Sequence, residues 1–99
     1  MQIMIVDDER IIRESFFHWF QKSGHKVATA ASGSKALEKL GETPFDLLFV
    51  DIKMPGMDGI ELLAAVKETY PETMVIIITA YGSIESAVQA MRIGATDYL

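Results

Sequence analysis

Apolar and polar positions along the chain follow two alternating periods. Gln2 to Val6, Phe45 to Val50 and Met74 to Thr79 are short apolar runs rich in Ile, Val, Leu and Phe, too continuous for a sheet with one wet face. They predict strands buried on both sides. His25 to Ala30 is a weaker and more polar run, which suits a strand nearer the sheet edge. The segments between them carry helical spacing. Ile12, Phe16, Trp19 and Phe20 share one face of residues 9–22; Ala36, Leu37 and Leu40 mark 34–40; Leu62, Leu63 and Val66 mark 58–69; Ile84, Ala87, Val88 and Met91 mark 84–93. Punctuation supports these boundaries, with Asp8 and Ser83 as N-caps, Gly24, Gly41 and Gly94 at helix ends, and Pro71 after the third helix. The order β-α-β-α-β-α-β-α, followed by Tyr98 and Leu99, calls for an α/β fold with a parallel sheet and helices on both faces.

Composition narrows the function without changing the fold. The 99 residues, 49% hydrophobic and 23% charged, suit one domain with a core of its own. Cysteine is absent, which excludes thiolate catalysis, cysteine-ligated zinc and disulfides and suits a cytoplasmic setting. No apolar run approaches the roughly 20 residues of a membrane span, and Met1 leads at once into a strand rather than a signal sequence, so no membrane association is expected. Fourteen acidic against nine scattered basic residues give a net charge of -5. Direct nucleic-acid contact by this domain is therefore disfavoured, and a cation or a basic partner is the better expectation.

In parallel sheets of this kind ligands bind beyond the carboxyl ends of the strands. The first run ends in Asp7 and Asp8, the third in Asp51 and the fourth in Thr79. Each has a plain alternative when taken alone: Asp8 as a helix cap, Asp7 as a solvated loop charge, Thr79 as an ordinary strand residue. Together they are harder to dismiss, because clustered carboxylates repel one another unless a cation or a chemical step uses them. Carboxylates, waters and a backbone carbonyl suit magnesium, which sits beside phosphate oxygens. A carboxylate next to such a metal can also be a nucleophile toward a phosphoryl group. Thr79 would then be placed to hydrogen-bond the incoming oxygens. His18, on the more polar side of the first helix, and His25, at the start of the weak strand, read as surface residues without a role. Ser32, Ser34, Ser83 and Ser86 occupy turn or helix-start positions, where capping explains them better than nucleophilic attack. Gly56 and Gly59 match neither the dinucleotide nor the Walker spacing.

Asp7-Asp8-Glu9, FDLLFVD ending at Asp51, MPGMDG from Met54 to Gly59, Thr79-Ala80 and GATDYL from Gly94 to Leu99 resemble a response-regulator receiver domain of a two-component system, over the whole chain and in the right order and spacing. TAYGSIESAVQAMRIGATDYL is especially similar to receivers of the nitrogen-regulator class, which usually precede an ATPase domain that activates transcription. The resemblance implies a doubly wound sheet in the flavodoxin-like order 2-1-3-4-5. It implies that Asp51 accepts a phosphoryl group from a sensor histidine kinase. It also implies that Asp8, Asp51 and the main-chain carbonyl of Lys53 hold Mg2+ directly, and Asp7 through water. Thr79 and Tyr98 resemble the family's switch pair, and Met54 to Gly59 the loop beside the acceptor. For Pro55, Gly56 and Gly59 a plain turn is the stronger reading.

The family pattern continues past Tyr98-Leu99 with a Lys-Pro pair and a last helix. The chain is thus expected to be a piece of a longer regulator, a receiver domain over 1–99 truncated at the start of the fifth strand, lacking most of that strand, the last helix and the lysine that would pair with the phosphoryl group. An output domain is expected in the longer chain, along with self-association through the fourth helix and the sheet edge. Two rivals remain at this point. An aspartyl-phosphate hydrolase needs a second Asp two residues after the nucleophile, where this chain has Lys53; a receiver-like module that is never phosphorylated would have lost an acidic position, and none is lost.

Overall fold

Short apolar strands joined by helical crossovers pair side by side and parallel. In a computed structural model, which describes residues 1–79 and 82–99, the elements run β1 (Gln2–Val6), α1 (Arg10–Lys22), β2 (Lys26–Ala30), α2 (Gly33–Glu42), β3 (Leu47–Val50), α3 (Gly59–Thr69), β4 (Met74–Ile77), α4 (Ile84–Ile93) and β5 (Asp97–Tyr98). The described strands form one sheet in the order β2-β1-β3-β4-β5, every pair parallel. This is the expected doubly wound order, with a short fifth strand and the weak, polar β2 at an edge.

The main core lies where α2, α3 and α4 cover the sheet: Met4, Val6, Leu48, Val50, Val75 and Ile77 from the strands meet Ala36, Leu40, Leu62, Leu63, Val66 and Ala90 from the helices. On the other face α1 lays Phe16 and Phe20 over Ile3, Ile5 and Leu47.

Several expectations are corrected. The N-cap of α1 is Glu9 and not Asp8, and its side chain makes no cap bond; Asp7 instead accepts from Glu9 N at 2.9 Å. Gly41 does not end α2, which runs through it to Glu42, with Thr43 N bonded to Lys39 O at 3.0 Å. Strands β2, β3 and β4 are each shorter than the apolar runs that predict them. Trp19 is 64% exposed, although the helical spacing puts it on one face with Ile12, Phe16 and Phe20. In α4, Ile84, Val88 and Met91 are exposed, while Ala90 is buried and Ser86 and Ile93 are half-buried. Ser86, Ala90 and Ile93 form an i, i+4, i+7 stripe on the side opposite Ile84, Val88 and Met91. The small residue at its centre lets the helix come close to its neighbours, and the bulkier stripe is left outside.

Candidate functional site

Register delivers the site. Val6 pairs with Val50, and Val50 with Ile77, so β1, β3 and β4 end level with one another. The chain then continues each strand by single bonds: Asp7 N to Ala30 O at 3.2 Å, Asp51 N to Val6 O at 3.0 Å and Ile78 N to Val50 O at 2.9 Å. The acids that follow are therefore carried on backbone that is already hydrogen-bonded.

Asp7, Asp8 and Asp51 each offer a carboxylate oxygen within 4.8 Å of the others. Their surroundings differ. Asp7 is buried, at 8% exposure, Asp51 is half-buried and Asp8 is exposed. Burial pushes the Asp7 carboxyl up from its ordinary 3.8 to about 6; the bond from Glu9 N opposes this, and the charges of Asp51, Asp8 and Glu9 add to it. The reading of Asp7 as a solvated loop charge is thereby excluded. An acid pressed this close to its neighbours and out of water fits a divalent cation, whose charge would offset both effects. Arg13, one turn into α1, donates from Nη1 to the Asp7 carbonyl at 2.8 Å and so ties the loop after β1 to the helix.

The loop after Asp51 is shaped by glycine at two points. Gly56 has φ +76, a backbone conformation that side chains disfavour. At Gly59 a Cβ would fall inside the contact distance of the Asp51 carbonyl oxygen and 2.8 Å from Ile52 Cα, so α3 begins packed against the backbone of Asp51 and Ile52. Asp58 caps α3 reciprocally with Glu61, at 2.8 and 3.1 Å. Met54 is buried beneath this loop and Lys53 is exposed on it. The turn reading of Pro55-Gly56 agrees with this geometry.

Thr79 is half-buried just past β4, which pairs with β3, the strand that leads into Asp51. Ala80 lies outside the described residues, as does Tyr81. Tyr98, on β5, is half-buried against the main core, and its hydroxyl lies 2.7 Å from Ser86 Oγ. The structure thus gathers the three acids at one point and brings Tyr98 to the start of α4. His18 is exposed, and His25 is half-buried with its ring 6.1 Å from that of Phe20. Two residues escaped the sequence reading, Arg13 and the second role of Ser86. A basic residue one turn inside α1, six residues after Asp7, was a usable signal for the first. Nothing local signalled the second.

The model of the response regulator receiver domain matches residues 3–99. The chain is 42% identical over 103 residues to the transcriptional regulatory protein ZraR of Escherichia coli, covering 100% of itself and 22% of that protein. It spans about a fifth of the length of the curated relatives it matches. Among solved structures, the receiver domain of NtrX from Brucella abortus matches with TM-score 0.91 and 37% identity, over 98% of this chain and 82% of that one. A response regulator of Burkholderia pseudomallei, solved with a phosphorylated aspartic acid, a calcium ion and citrate, matches with TM-score 0.94 and 28% identity, over 99% of this chain and 58% of that one.

Proposed function

This chain belongs to the response regulator receiver domain family, and on that premise we propose that Asp51 accepts a phosphoryl group from a sensor histidine kinase and switches an output domain that regulates transcription. The observation that carries this reading is the meeting of Asp7, Asp8 and Asp51 within 4.8 Å at the ends of adjacent strands. In this reading Asp7, Asp8, Asp51 and the main-chain carbonyl of Lys53 hold Mg2+. When bound, the cation supplies positive charge against the carboxylates and the phosphoryl oxygens. Asp51, fixed by its backbone bond to Val6, presents the carboxylate oxygen that bonds to phosphorus as the bond from phosphorus to the donor imidazole nitrogen breaks. Asp7, kept largely out of water, makes the site prefer a bound cation to an empty one. Thr79 bonds the phosphoryl oxygens through its hydroxyl, and Tyr98 reports that bond to α4.

The Burkholderia relative's phosphorylated aspartic acid and calcium ion support both the acceptor and the divalent site. Lys53 stands where a hydrolase of the aspartyl-phosphate type would carry its general acid, which favours an acceptor over an enzyme that turns over. The setting is cytoplasmic, where such kinases and transcription meet; no helix among the described residues is long and apolar enough to cross a membrane.

Two surfaces belong to the same reading. The outer stripe of α4, with Ile84 87%, Val88 45% and Met91 49% exposed, supports self-association there and along the sheet edge. The half-covered Phe49 and Ile76 on the α1 side suit a last helix of the complete domain. Intact mass after incubation with magnesium and acetyl phosphate tests the function. A stable gain of one phosphoryl group in the wild type and none in Asp51→Asn supports it. Donor consumption without mass gain means a hydrolase, and neither means a passive module.

A further inference from the structure

Ser86 belongs to two parts of the fold at once. Its Oγ accepts from Ser83 N at 3.0 Å and its own N donates to Ser83 Oγ at 3.1 Å, the reciprocal box that opens α4. The same Oγ lies 2.7 Å from Tyr98 Oη, twelve residues on and across the helix–strand boundary. The hydroxyl end of the Tyr98 ring rests over Gly82. A Cβ at position 82 would collide with Tyr98 Oη and stand 3.1 Å from both Tyr98 Cζ and Thr79 Cγ2. The missing side chain therefore leaves the space in which the ring reaches the end of β4.

From this arrangement we infer that Ser86 is a positioning residue for Tyr98, forming with Gly82 a seat that holds the ring and ties it to the first turn of α4. A hydroxyl has one hydrogen to give and two lone pairs to offer. Ser86 can give its hydrogen to Ser83 O, 3.1 Å away, only if Tyr98 is the donor in the shared bond. Ser86 then accepts from Tyr98, at 2.7 Å the shortest of its contacts, and from Ser83, whose N and Oγ lie 3.0 and 3.1 Å away, and every capacity of its hydroxyl is used. The ring cannot leave without breaking a bond that also steadies the cap, and the cap cannot unwind without releasing the ring. The two events are one.

The seat rests on the switch reading of Thr79 and Tyr98 only for its meaning in signalling, since the contacts that form it involve neither Asp51 nor a phosphoryl group. Its test is accordingly made without magnesium and without a phosphoryl donor. Failure of Asp51 to accept a phosphoryl group would leave the result standing, and the reverse also holds. NMR on the 99-residue chain compares wild type, Tyr98→Phe, Ser86→Ala and Ser86→Thr, reading the ring resonances of residue 98 and amide exchange at Ser86 and Ala87. Tyr98→Phe leaves the Ser83–Ser86 box intact, yet exchange at both amides should rise about fivefold, the factor expected for loss of one ordinary hydrogen bond. Ser86→Ala should move the Tyr98 ring resonances toward those of an exposed tyrosine, and Ser86→Thr should restore them. Unchanged exchange in Tyr98→Phe overturns the inference. So does a Ser86→Thr ring as displaced as that of Ser86→Ala. The Tyr98→Phe arm stands even if Ser86→Ala fails to fold, because it alters nothing in α4.

Discussion

The two faces of the sheet are packed to different depths. On the side of α2, α3 and α4, sixteen of the described apolar residues are buried in one cluster; on the side of α1 only Ile3, Ile5 and Leu47 are. Half-exposed rings do the covering there, with Phe20 and Phe49 stacked at 4.9 Å and Phe16 lying 6.1 Å from each. No residue of α1 itself is buried. The acid cluster sits at the seam, at the ends of β1 and β3, which both faces share. Its loop is tied to the thin face through Arg13, while the backbone of Asp51 is pressed against the thick one through Gly59. Most of the burial thus lies on one side of the sheet, while the site draws on both.

Core truncation gives the widest separation. Leu62→Ala, at a fully buried position of the thick face, should lose about 2 to 5 kcal/mol, whereas Trp19→Ala on α1 should stay within about 0.5 kcal/mol. Urea midpoints compare the two, and equal losses would mean that the thin face contributes as much as the thick one.

Protonation acts at the seam. The carboxyl of Asp7 has its folded-state pKa raised from 3.8 to about 6, so between those values the folded chain holds a proton that the unfolded chain has released. Stability of the metal-free chain should therefore rise as pH falls from 7 through 6 toward 4, by at most about 3 kcal/mol. Asp7→Asn should lack that component. Thermal unfolding across this range in both proteins isolates it, and parallel profiles would dismiss the effect.

A cation acts at the same place and also stabilises, by offsetting the carboxylate charges. Magnesium that binds only the folded form should add about 2.7 kcal/mol at a hundred times its dissociation constant. Asp8→Ala should be more stable than wild type without metal, through relief of repulsion, and should show no response to magnesium. A wild-type thermal shift in that variant would remove Asp8 from the site.

The smallest effect on stability should separate the site from the fold most cleanly. Arg13→Ala loses one charged hydrogen bond at a half-buried position and should cost about 1 to 2 kcal/mol. Magnesium affinity should fall in that variant and be unchanged in folded Leu62→Ala, because only the first frees the loop that carries Asp7 and Asp8. Titration calorimetry on both decides whether the thin face steers the site.

Much of this was legible without the fold. Continuous apolar runs specify strands buried on both sides, helical spacing between them forces crossovers, and parallel strands bring their carboxyl ends to one edge. Asp7, Asp8 and Asp51 could therefore be placed together from their positions at the ends of runs. The chain's own chemistry also marked β2 as an edge strand and the serines before and within α4 as caps. What one-dimensional pattern cannot hold is which of two apolar stripes finds a partner. Ile84, Val88 and Met91 have the stronger hydrophobicity, but Ala90 is buried, because close approach of α4 to the sheet depends on the size of what faces it. Trp19 fell outside the same way, one position round from Phe20. The unequal burial of Asp7 and Asp8, adjacent in sequence, depends on the turn between β1 and α1 and on the bond from Arg13. The meeting of Ser86 with Tyr98 depends on a space left by Gly82. Each of these is a contact between elements, and periodicity along one element carries no information about the shape of its neighbour.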